Sequence, residues 1–97
     1  MTIKLSREDD ERRVKVFKAL AETKRIEMIR FLRRHERDTT CGELGDMMGM
    51  DKSNVSYHLK ILYEADLIRL SRSGQNKYSY LREDTFETFL PGFLDSL

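Results

Sequence analysis

Four side chains on one short segment could do the chemistry that matters most in this sequence. Ser53, Ser56, Tyr57 and Lys60 bring two hydroxyls, a phenol and an ammonium to one side of a segment in which Val55, Leu59 and Leu62 recur at i, i+4 and i+7. That spacing predicts a helix with an apolar stripe, and the four polar residues fall away from the stripe. No carboxylate lies among them. Such groups suit phosphate oxygens and base edges. A second cluster of donors, Arg72, Gln75, Asn76 and Lys77, follows a few turns later, again without an acid.

The remaining reactive residues offer less. Cys41 is the only cysteine, so no disulfide can form within the chain. It has two readings: a redox switch, because a helix N-terminus lowers a thiol's pKa, or a small residue opening a helix. His58 lies at the edge of the apolar stripe and is expected to pack and hydrogen-bond locally rather than meet a base. His35 fits a helix end, and Tyr57 is expected in a groove or on a phosphate rather than in the core. One thiol and two distant histidines cannot build an N/S metal site, so no metal and no cofactor are expected. No Gly-rich phosphate loop and no nucleophile–base pair is present, which argues against an enzyme.

The elements that must position these groups can be read from periodicity and caps. A first helix is expected from about Arg7 to Ala21, with Val14, Phe17 and Leu20/Ala21 as its stripe, Val16 beside it and Ser6 as a cap; residues 1–7 read as a loose tail. A second helix runs from near Thr23 to about His35 on Ile26, Ile29 and Leu32, widened by Met28 and Phe31. Arg33 and Arg34 suit its C-terminal dipole. Residues 36–39 read as a loop. Thr40-Cys41-Gly42-Glu43 is a capping box before Leu44, Met47 and Met48, and Gly49 closes that short helix. Asp51 caps the next one, Lys52 to Glu64 or Ala65. A short helix, a turn and a second helix with a polar outer face is the pattern of a helix-turn-helix whose second helix reads DNA.

Beyond it the period changes to two. Ile68 and Leu70 alternate with Arg69 and Ser71, and Tyr78 and Tyr80 with Lys77 and Ser79, around a tip rich in turn formers: a β-hairpin. Glu83 and Asp84 then open a helical pattern of Phe86, Phe89, Leu90, Phe93, Leu94 and Leu97, which either stops near Leu90 or bends at Pro91. This run is too apolar for a solvated tail and requires a partner surface, which the first helix offers.

Size and charge fit this picture. The 97 residues make one domain with a modest core. The net charge of +1 hides segments: residues 24–37 carry six Lys/Arg against two Glu, residues 51–82 six against three acids, and residues 83–97 four acids and no base. No apolar run of about 18 residues exists, so no membrane span is expected. With a single cysteine and an acidic N-terminal stretch, the expected location is the cytoplasm.

These residues carry a resemblance. Leu20-Ala21-Glu22-Thr23-Lys24-Arg25-Ile26 looks like the opening of the second helix of ArsR-type repressors. Glu43–Gly49 resembles their first motif helix and Lys52–Leu62 their reading helix, with Ala65–Ile68, Gly74 and Tyr78–Tyr80 as the wing. The resemblance covers roughly residues 15–82 and implies a mainly α winged helix-turn-helix with a small hairpin (α-α-α-α-β-β-α); residues 1–97 are expected to make one such DNA-binding domain. It implies a homodimer on a palindromic operator, with residues 83–97 as a dimerisation helix. Ser53, Asn54, Ser56 and Tyr57 would enter the major groove. Lys52 and Lys60 would flank them on phosphates, and Arg72, Gln75 and Lys77 would sit at the wing. Val14, Phe17, Phe86, Phe89, Leu90, Phe93 and Leu94 would form the dimer interface. The sequence departs from the family at Glu22-Thr23, where Asp-Pro is frequent, and at Thr40 and Gly42, where metal-sensing members often carry a Cys-x-Cys. The expected partners are double-stranded DNA and a second copy, with no membrane and an unknown effector. The alternative is a protein-docking module that uses the C-terminal apolar run.

Overall fold

The computed structural model describes residues 7–35 and 39–97. The expected tail up to residue 6, its Ser6 cap and the loop at 36–38 lie outside the described residues. Helices α1 (Arg7–Leu20), α2 (Thr23–Arg34), α3 (Cys41–Met48), α4 (Lys52–Glu64) and α5 (Glu83–Phe89) are joined by strands β1 (Thr39–Thr40), β2 (Ile68–Ser73) and β3 (Asn76–Leu81). The strands form one antiparallel sheet in the order β1-β3-β2. This is a mainly helical winged helix-turn-helix, as expected, with one addition. Thr39 does not belong to a loop: Thr39 and Thr40 pair with Ser79 and Tyr78. Two residues carry no period, so only the sheet partner reveals the strand.

Local chemistry sets the boundaries. Glu22 caps α2, its carboxylate accepting from the backbone N–H of Lys24 at 2.6 Å and of Arg25 at 3.2 Å. A carboxylate one bond longer than aspartate thus starts the helix without the frequent Asp-Pro. Thr40 accepts from the Glu43 N–H at 3.0 Å, the expected cap of α3. Gly49 takes φ +63°, and the Met50 N–H closes onto the Gly45 carbonyl at 2.9 Å, the left-handed ending that glycine permits. Asp51 caps α4 by accepting from the Asn54 N–H at 2.8 Å.

The core is one cluster. Val16 and Ala19 of α1, Met28, Ile29 and Leu32 of α2, and Leu44 of α3 meet Val55, Leu59 and Leu62 of α4 there, with Leu67, Ile68, Phe86 and Leu94 closing it. Two stripes differ from expectation. In α1 the buried pair is Val16 and Ala19, while Val14 and Phe17 are 49% and 56% exposed. In α2 the buried face is Arg25, Met28, Ile29 and Leu32, so an arginine, not Ile26, takes its first position.

The C-terminal segment is not one helix. α5 stops at Phe89, Leu90 takes φ −141° and ψ 59°, Gly92 takes φ +86°, and a 3-10 turn covers Leu94–Ser96. Pro91 decides this: it lacks an N–H and bars the residue before it from helical dihedrals. The chain folds back, and Phe93 stacks on Phe86 with centroids 6.1 Å apart.

Candidate nucleic-acid interface

The geometry of the site begins with α3 and α4. Gly45 sits where a Cβ would stand 3.0 Å from the Met50 carbonyl oxygen and 3.2 Å from Val55 Cγ2. The absence of a side chain therefore lets α3 press directly on the turn and on α4. Val55, Leu59 and Leu62 anchor α4 in the core. Lys52, Ser53, Asn54, Ser56, Tyr57 and Lys60 consequently all stand exposed. Tyr57 is 61% exposed, so its ring is presented rather than packed.

Two acids touch this face. Asp51 accepts from the Asn54 side-chain amide at 3.3 Å as well as capping the helix. Glu64, one turn past the polar segment, pairs with Lys60 at 3.9 Å. Both Lys60 and Glu64 are largely solvated there, so the pair is weak and yields readily to a phosphate.

The wing is a two-residue hairpin. Ser73 pairs with Asn76 and Arg72 with Lys77, and Gly74 takes φ +61° at the first turn position, as a II′ turn needs. Arg72, Gln75, Asn76 and Lys77 are exposed. Between wing and reading helix lies a groove of about 350 Å³ lined by Thr40, Cys41, Lys52, Ser56, Gln75 and Lys77, among others. Tertiary structure thus joins the two donor clusters, from α4 and the hairpin, into one continuous surface.

Cys41 lines the same groove and is half-buried. Burial pushes its thiol above the ordinary value, and the Lys77 charge and a backbone hydrogen bond offset this only in part. The expected activation by the helix start is outweighed by desolvation, which favours the protonated thiol at neutral pH. Among the described residues no three His, Cys, Asp or Glu side chains stand together as a metal site.

The candidate interface residues separate into two groups. Phe86 and Leu94 are 1% and 7% exposed and belong to the protomer's own core: Phe86 lies on the buried face of α5, and the fold-back at Pro91 brings Leu94 inward; they are not free interface residues. Phe89, Leu90 and Phe93 are partly covered. Phe89 lies under the guanidinium groups of Arg12 and Arg13, 4.7 and 5.6 Å from its centroid, so the first helix does meet the last. Val14 and Phe17 remain exposed. Arg33 stands in the last turn of α2, as expected, and also pairs with Asp95 and with Glu83, which ties α2 to the C-terminal segment.

Sequence reasoning missed one buried polar contact. His58 packs as expected, but its partner is not local. Its Nδ1 lies 3.1 Å from Nη1 of Arg25, on another helix. The available signal was an arginine at the head of an otherwise apolar helical stripe.

Comparison with known proteins agrees with this geometry. Residues 22–69 match the family described as bacterial regulatory protein, arsR family. The chain is 44% identical, over its whole length and 95% of the other, to the uncharacterized HTH-type transcriptional regulator YceK of Bacillus subtilis (strain 168). It is 37% identical over 70% of its length to the arsenical resistance operon repressor of the same organism, covering 64% of that protein. The solution structure of the homodimeric winged helix-turn-helix domain of Mb0332 from Mycobacterium bovis, a possible ArsR-family regulator, superposes with a TM-score of 0.75 at 23% identity, covering 92% of this chain and 83% of that one. Among the described residues no helix is long and apolar enough to cross a membrane. With an exposed reading helix, a wing beside it and a whole-length relative of this kind, the chain belongs to the ArsR family of bacterial DNA-binding transcriptional regulators.

Proposed function

We propose that this chain is a homodimeric repressor that sets two copies of α4 into successive major grooves of a palindromic operator. The observation that carries the reading is the division of α4: one stripe is sealed in the core while Lys52 to Tyr57 and Lys60 stand in solvent apart from Val55. Ser53, Asn54, Ser56 and Tyr57 contact base edges. Lys52 and Lys60 take phosphates, and Arg72, Gln75 and Lys77 hold the flanking backbone from the wing. Residues 1–97 act as one DNA-binding domain. Val14 and Phe17, joined by Phe89, Leu90 and Phe93, pair with their copies across a two-fold axis; the exposure of Val14 and Phe17 in the protomer supports this, as does the homodimeric state of the Mycobacterium bovis domain. Repression is supported by the likeness to the arsenical resistance operon repressor. The protein acts by binding, without catalysis, in the cytoplasm.

The test is selection of genomic duplex fragments by the purified protein at two salt concentrations, with sedimentation to read its mass. The expected result is a dimer that retains a palindrome with half-sites separated by about 34–36 Å, one helical turn. A folded sample that retains no fragment refutes the DNA reading, and one that sediments as a monomer on its operator refutes the pairing.

A further inference from the structure

Arg25 is a charged residue only 8% exposed, and its guanidinium reaches three groups on two other helices. Nε donates to the Ala19 carbonyl at 2.6 Å, and Nη2 to the Lys18 carbonyl at 3.4 Å. Nη1 lies 3.1 Å from Nδ1 of His58. The two carbonyls belong to the last turn of α1, and His58 belongs to α4. The flanking apolar contacts are non-directional. A rigid guanidinium fork is directional and fixes the register of the helices.

We propose that Arg25 is a positioning residue for DNA binding, which holds the reading helix in register with α1 through a neutral His58. The proposal rests on the DNA-binding reading and on α1 as the pairing helix. Two reading helices serve a palindrome only when their separation matches the half-sites, and α1 is where Val14 and Phe17 stand exposed. Arg25 connects that helix to α4 one residue from Tyr57, whose ring meets the His58 ring edge-on at 5.1 Å.

The chemistry fixes the state of the imidazole. A guanidinium has only donors, so Nδ1 must accept and the ring's proton must sit on Nε2. Protonation would remove the acceptor and set two cations 3.1 Å apart. Burial is the largest influence and holds the ring below its ordinary range; Glu22 opposes it, while Arg25 and Lys24 reinforce it. All three charged groups acting on the ring stand at the start of α2. α1 contributes its carbonyl ends through Arg25. Acid therefore breaks the polar link that Arg25 makes between α1 and α4, while the apolar contacts of the core remain. This sign is diagnostic, because the phosphate field alone favours protonated histidine and would strengthen binding in acid.

The experiment compares the full-length protein with Arg25→Lys and His58→Asn. Lysine keeps the charge but is a point donor that cannot span three acceptors. Asparagine keeps an acceptor and does not titrate. The readouts are the imidazole nitrogen NMR signals of the free protein and anisotropy of a labelled duplex between about pH 8 and about pH 5.5. The duplex carries the selected palindrome, or mixed genomic sequence at low salt. We expect an unprotonated Nδ1. If DNA binding lowers the His58 pKa by one unit, wild-type affinity falls by about two- to fivefold at about pH 5.5, toward a limit of about tenfold in stronger acid. We expect His58→Asn to be flat and Arg25→Lys to be weak at every pH. A proton on Nδ1, or wild-type affinity that follows His58→Asn across the range, overturns the role of Arg25. If Arg25→Lys fails to fold, the wild-type and His58→Asn profiles decide alone. A wild type that holds no duplex at any pH refutes the DNA reading itself, a result distinct from either outcome above.

Discussion

Replacing Lys52 with alanine separates affinity from stability by sign. Lys52 is the first residue of α4, exposed and beside the wing residues Gln75 and Lys77. Alanine is the best helix former, the Asp51 cap bonds the Asn54 backbone and not Lys52, and removing a cation from a helix N-terminus relieves its clash with the dipole. The melting temperature should therefore hold or rise slightly. DNA binding should weaken in a way that salt reveals. Lys52, Lys60, Arg72 and Lys77 offer four cations per protomer, eight in a dimer, which gives a slope of log affinity against log salt of about −7. The variant loses two of the eight, and its slope falls to about −5. Between about 50 and about 200 mM salt the wild type should lose affinity by on the order of 10⁴, and the variant by roughly tenfold less. Anisotropy of a labelled operator duplex across that range reads both slopes. An unchanged slope in the variant removes Lys52 from the phosphate contacts, and a wild-type slope near zero refutes electrostatic binding altogether.

Phe17→Glu should yield a monomer of unchanged fold by sedimentation and circular dichroism, since the ring is 56% exposed in the protomer. Phe86→Ala should cost about 3–5 kcal/mol of folding stability in urea titration, since that ring is 1% exposed; equal behaviour of the two variants would contradict the division of aromatic residues between core and interface. Gly49→Ala places a side chain at φ +63° and should cost about 1–2 kcal/mol by thermal melts, with no steric contribution because nothing lies within 4 Å. Cys41 should alkylate more slowly than a free cysteine at neutral pH, since burial raises its thiol; the rate should rise on unfolding, and a native rate above that of the free amino acid would show an activated thiolate.

Much of this protein is determined locally, and that part was legible in the sequence. Caps at Thr40 and Asp51, the left-handed glycine at 49 and the change of period near Ile68 fix element boundaries through interactions a few residues long. The polar face of α4 followed from spacing alone, because burying Val55, Leu59 and Leu62 forces the residues between them outward. Tertiary structure decided what depends on distant partners. β1 is a strand only because β3 lies beside it. Phe86 faces inward and Phe89 meets Arg12 and Arg13 because α5 packs back onto the core and α1, and the fold-back at Pro91 then brings Phe93 onto Phe86 and Leu94 into the core. Arg25 occupies an apolar stripe because two carbonyls and a histidine, six, seven and 33 residues away, converge on it. A one-dimensional pattern records which side of a helix is covered; it does not record what covers it, and that identity is what makes a buried arginine favourable.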